Sequence, residues 1–106
     1  MELDIKDRFV ISMCLPQKGT FKEFSLKKEI SKRVQFSEDE ISKFDIKFDK
    51  ESNTWNWNTE VDSKVHILFS DEQQKYLKKV CEEALETDAE FTDEIWITLE
   101  NIYDSL

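Results

Sequence analysis

Glycine and proline are nearly missing from this chain: in 106 residues, Gly19 is the only glycine and Pro16 the only proline. So few breaking positions exclude a flexible linker or a low-complexity segment. They also exclude a glycine loop that cradles phosphate, which needs several glycines close together. Histidine occurs once, at His66, and cysteine twice, at Cys14 and Cys81. None of the three stands at zinc-ligand spacing. Both cysteines fall among apolar residues, so they are expected as buried free thiols rather than a disulfide. No apolar run approaches the ~20 residues of a membrane span. Met1-Glu2-Leu3-Asp4 is acidic and unlike a targeting leader, so a soluble cytoplasmic protein is expected. Basic residues stop at Lys79, and Glu82, Glu83, Glu86, Asp88, Glu90, Asp93, Glu94, Glu100 and Asp104 follow.

What remains is aromatic and charged. Eight Phe and three Trp predict one globular domain over residues 1–106, with a small aromatic core. The net charge of −9 is unevenly placed: residues 1–34 carry eight Lys/Arg against five Asp/Glu, whereas residues 35–106 carry seven against nineteen. An acidic balance of this kind repels nucleic-acid backbones and anionic membranes, so neither is expected as a direct partner.

One phrase recurs three times, as Phe36-Ser37-Glu38-Asp39, Phe69-Ser70-Asp71-Glu72 and Phe91-Thr92-Asp93-Glu94. A Ser or Thr side chain accepts from the free N–H groups of a new helix, and acids favour its positive end. The preceding Phe is placed to fold onto the first turn, Phe36 on Ile41 and Phe91 on Trp96. The phrase therefore predicts helices from Glu38 to Phe44, from Asp71 to about Thr87 and from Asp93 onward. The unequal intervals argue against a solenoid repeat.

The N-terminal region adds two helices. Ile5, Phe9, Val10 and Met13 have helical spacing behind a cap at Asp4. After the break at Pro16 and Gly19, Thr20-Phe21-Lys22-Glu23 has capping-box form, and Leu26, Ile30 and Val34 line one side of a helix to Val34. Phe21 and Phe24 lie off that side, which implies a deeply buried helix or a later start at Ser25. We favour one helix. Between Asp45 and Phe69 the period changes to two. Ile46/Phe48 and Trp55/Trp57 form a hairpin around Lys50–Asn53, and Val65, Ile67 and Phe69 give a third strand. The last two helices carry Leu77, Cys81 and Ala84, then Ile95, Leu99, Ile102 and Leu106, across a short link. The predicted fold is α+β: N-terminal helices, a small three-stranded antiparallel meander and a C-terminal antiparallel helical hairpin.

The runs Asp7-Arg8-Phe9-Val10, Leu15-Pro16-Gln17-Lys18-Gly19-Thr20-Phe21 and Val34-Gln35-Phe36-Ser37-Glu38-Asp39-Glu40-Ile41 are similar to short proteins of bacteriophages and integrated elements. Trp55-Asn56 and Thr92-Asp93-Glu94 extend the resemblance over most of the chain. It implies a setting, the cytoplasm of a bacterial host, and no site residues, because that group has no assigned activity.

Candidate chemistry is sparse. His66 reads as a surface or edge residue of a strand. Thiols on apolar stripes lack the electropositive, accessible setting that makes a nucleophile. Paired carboxylates cluster at helix starts, where capping explains them, and Asp45, Asp49 and Glu51 do not form a calcium loop. No catalytic residue, metal or cofactor is expected. The expectation is a non-enzymatic protein that binds another protein, one of basic character. The candidate contacts are Glu82, Glu83, Glu86, Glu90 and Glu94, together with Trp55 and Trp57 if they do not pack under the C-terminal helices. In its sharpest form the acids mimic a nucleic acid and occupy a basic cleft. The alternative is a structural or assembly subunit acting as a homo-oligomer, with Trp55, Trp57, Trp96 and Tyr103 in the self-interface.

Overall fold

A computed structural model describes every residue except Ser63, Asp88 and Ala89. The chain runs β1 (Glu2–Leu3), α1 (Ile5–Cys14), α2 (Phe21–Val34), α3 (Glu38–Phe44), β2 (Lys47–Asp49), β3 (Thr54–Asn56), β4 (Val65–His66), α4 (Asp71–Glu86) and α5 (Asp93–Asp104). Among the described residues no helix is long and apolar enough to cross a membrane.

Capping sets the helix starts. Asp4/Asp7, Thr20/Glu23, Ser37/Glu40 and Ser70/Gln73 each form a reciprocal capping box. At the third Phe phrase the helix begins as expected, but Thr92 makes no side-chain capping bond. The reason lies three residues on: the N3 position holds Glu40 and Gln73 in the first two phrases and the apolar Ile95 in the third, so no box closes there. Phe91 does fold onto Trp96, with ring centroids 5.0 Å apart. Phe36 instead turns to Phe9, also at 5.0 Å, and Ile41 stays exposed.

The strands depart from expectation. They form two separate two-stranded antiparallel sheets, β1–β4 and β2–β3, and not a three-stranded meander. The hairpin register pairs Phe48 with Trp55 around the expected loop. Its base is tied back to α3 by the Asn58 N–H, which donates to Phe44 O at 2.8 Å. β4 takes its partner from the chain's start: the Met1 amino group donates to Ile67 O at 3.0 Å, and the Ile67 N–H donates to Met1 O at 2.8 Å. β1 thus gives β4 the partner that the hairpin does not supply, and it lies in a segment too short to show a period.

The C-terminal helices do not stand as a hairpin of their own. α5 packs on α1 as extensively as on α4, and α2 packs on both α1 and α4. Tyr103 OH donates to Glu82 Oε1 across α5 and α4. The four long helices enclose one aliphatic core of Leu3, Val10, Ile11, Ile30, Val34, Leu77, Val80, Leu99 and Ile102, joined by Phe69, Tyr76 and Cys81. A smaller cluster of Ile5, Phe44 and Ile46 sits under α3 and the hairpin. The expected aromatic core is therefore mainly aliphatic. Only Phe44 and Phe69 of the eight Phe are buried, while the others line edges, because a domain measuring 35 × 29 × 24 Å encloses few wide rings.

Candidate binding groove

Arg8 fixes the ground on which the most open aromatic surface is built. Its side chain is only 3% exposed, and a cation so deeply buried must be fully paired. Nε donates to Val34 O at 2.9 Å and Nη2 to Gln35 O at 2.6 Å, filling carbonyls that the end of α2 leaves free. Nη1 meets Glu40 Oε2, and the guanidinium lies 4.1 Å from the Phe36 ring centre. The runs 7–10 and 34–41, separate in the sequence, are two halves of this clasp. The Arg8 hydrogen bond holds the Glu40 carboxyl down to about 2, although Glu40 is partly exposed.

Phe9, the next residue, stands between the clasp and the hairpin. Its ring centre is 5.4 Å from that of Trp55 and 5.5 Å from that of Trp57, and Trp55 lies 5.1 Å from Phe48. The two Trp thus pack on α1, not under the C-terminal helices. Trp57 is half-buried, and its Nε1 meets no partner among the described residues, so ring area holds it in place. Trp55 remains 50% exposed. Beside these rings a groove of about 620 Å³ opens between α1, β3 and the start of α5, with Met13 and Ile95 in its apolar wall. At the rim Lys6 Nζ lies 3.5 Å from Glu94 Oε1.

The structure divides the sequence-predicted contacts. Trp55, Trp57 and Glu94 share the groove. Glu82, Glu83 and Glu86 are exposed on the second half of α4, with Glu82 accepting from Tyr103. Glu90 is exposed in the stretch before α5, and Asp88 lies outside the described residues. Phe9, Met13 and Ile95 were missed as groove residues because helical spacing reads all apolar positions as core, and Lys6 because a lone lysine on a helix reads as solvated surface. The one available signal was angle: at about 100° per residue, Phe9 and Met13 stand roughly opposite the buried Ile11 on α1, so one core cannot take all three.

Elsewhere the chemistry is restrained. His66 is exposed, with Nδ1 2.8 Å from Glu2 Oε1 across β1 and β4. Cys14 and Cys81 are free thiols. Burial pushes the Cys81 thiol up to about 12 and raises that of Cys14, which disfavours the reactive thiolate in both. A second cavity of about 670 Å³ lies between the chain start and the end of α5, lined in part by Asp4, Asp7, Asp62 and Asp104. Asp4 and Asp7 are engaged in capping, burial raises the Asp7 carboxyl, and Asp62 accepts from the Ile5 N–H. No group of three metal-ligating side chains stands together among the described residues. Compared with protein-family models, curated proteins and solved structures, the chain matches none.

Proposed function

We propose that this chain is a small acidic, non-enzymatic accessory protein of the phage type, and that it acts by binding another protein in a bacterial cytoplasm. The observation that carries the reading is Trp55: a half-exposed indole at an apolar groove, backed by Phe9 and Phe48. Trp is among the residue types enriched at the hot spots of protein interfaces. The occupant fits as a segment of another protein with an apolar anchor residue beside a Lys or Arg. The anchor enters between Trp55, Met13 and Ile95, and the base meets Glu94, with Glu90 and Asp93 close by in the chain.

Capture from bacterial lysate, comparing the wild-type chain with Trp55→Ala and Glu94→Lys, tests this reading. The expected result is one basic protein held by the wild type and weakened about 30-fold or more by Trp55→Ala, as for an interface anchor. Glu94→Lys weakens it most at low salt. Glu94→Lys should unfold close to the wild type and Trp55→Ala somewhat lower, since it loses ring contacts with Phe9 and Phe48, and circular dichroism checks that both remain folded at the capture temperature. Capture that survives both substitutions removes the groove from the binding surface.

A further inference from the structure

Helix α2 turns its aromatic residues outward. Phe21 is 83% and Phe24 51% exposed, with ring centres 6.3 Å apart, while Leu26, Ile30 and Val34 hold the helix to the core from the other side. Phe24, Lys28 and Lys32 follow at intervals of four residues, which sets them in one row along the helix with Phe21 beside it. Lys22 pairs with Glu72, and Lys27 donates to Pro16 O. Lys28, Lys32 and Arg33 form no ion pair among the described residues. In a chain with nine surplus acids, this face keeps Phe21 and Phe24 exposed, with Lys27 Nζ 5.7 Å from the Phe24 ring centre, and Lys28 and Lys32 outside any ion pair among the described residues.

The complementary face stands on α4. Glu82 and Glu86 form a row at the same four-residue interval, Glu83 flanks it, and Leu85 between them is 38% exposed. One helix thus offers rings and lysines, and another offers a leucine and glutamates. No residue of α2 lines the groove beside Trp55.

We propose that the α2 face is a docking surface for a second copy of this chain, which presents the acidic second half of its α4. The two patches differ, so a single contact leaves one patch free on each copy and extends head to tail into short chains or a ring; a two-fold dimer would have to engage both patches of both copies at once. One helix face against another is a small interface, so the association is weak, reversible and sensitive to salt. A polyphosphate is a poorer occupant. Three unpaired bases with Glu29 among them fall short of the roughly six to ten phosphate contacts on which backbone binding rests.

Sedimentation equilibrium from about 10 µM to about 1 mM spans the range in which such a weak contact forms. The expected result is a mean mass that climbs with concentration at low salt and falls back toward the monomer at high salt. Phe21→Ser/Phe24→Ser breaks one patch and Glu82→Lys/Glu86→Lys the other, so each variant alone should remain monomeric. Mixed, they should form one-to-one heterodimers that grow no further, because each variant retains the patch the other lacks. All four substituted positions are exposed, and unchanged circular dichroism checks the fold. Lys28→Ala/Lys32→Ala provides an independent break of the α2 patch. A wild-type chain that stays monomeric throughout overturns the proposal, as do variants that assemble like the wild type or a mixture that forms no heterodimer. A monomeric wild type that binds labelled oligothymidylate, with loss of binding in Lys28→Ala/Lys32→Ala, assigns the face to nucleic acid instead.

Discussion

Arg8 and Glu40 show how one pair of residues organises three helices. Neither stands out in the sequence, since Arg8 lies within an otherwise ordinary helical stretch and Glu40 reads as one of several acids in a first turn. Their role emerges only when α1 crosses the end of α2, where Val34 O and Gln35 O wait for a donor. Glu40 serves twice, accepting from the Ser37 N–H in the capping box and from Arg8. Its carboxyl falls from an ordinary 4.5 to about 2, chiefly through the Arg8 hydrogen bond. A carboxyl depressed by folding contributes stability that is fully present above its unfolded value and is lost as the folded value is approached. The contribution is therefore whole at pH 7 and fades as pH falls from 4.5 toward 2. Glu40→Gln should lower stability at pH 7 by about 1–3 kcal/mol, the lower range reflecting partial exposure. In urea titrations across pH, the variant should also lose less stability than the wild type over that acid window. Equal slopes for the two chains would show that the pair is not coupled to folding.

Among the elements, helices were legible and strand partners were not. A helix carries its own instructions: Thr20 with Glu23, or Ser70 with Gln73, announces a start within four residues, and every expected helix is present. Phe21 and Phe24 were legible in part. Their departure from the stripe of Leu26, Ile30 and Val34 was visible, but exposure is its cause, not deep burial. A strand's partner is set by distant chain, so Val65–His66 gave no sign that it pairs with Glu2–Leu3. The groove follows the same rule: Trp55 and Trp57 were identifiable as candidates, whereas Phe9 and Ile95 joined them only through tertiary packing. The hairpin also shows what scarce glycine entails. Asn53 at its turn has φ 56° and Asp45 after α3 has φ 53°, left-handed positions that glycine usually fills. Asn and Asp tolerate this region better than other residues with a side chain. Asn53→Ala should destabilise the chain by about 1 kcal/mol, and Asn53→Gly should leave it unchanged or slightly more stable. Thermal unfolding of the three chains checks the order. An Ala variant as stable as the wild type would mean that the turn does not hold this conformation in solution.

At the scale of the whole molecule, charge runs against the helix dipoles. The exposed carbonyls at a helix end favour a cation, and α2 and α3 comply with Lys32, Arg33 and Lys43 in their last turns. α4 and α5 have no base in theirs and end in Glu86 and Asp104. With a net charge of −9, each further acid there also meets the repulsion of its neighbours. Stability alone would choose lysine at both positions, so these acids are the ones that solubility or a basic partner must account for. Glu86→Lys and Asp104→Lys should each raise stability by roughly 0.3–1 kcal/mol at low ionic strength. Because both ends are exposed, the gain should shrink as added salt brings the Debye length to ~3 Å near 1 M. Chemical denaturation at micromolar concentration, in low and high salt, reads both effects before any self-association sets in. A gain that persists at high salt would place its origin in packing or helix propensity, and no gain at low salt would mean that these acids are already neutralised by nearby cations.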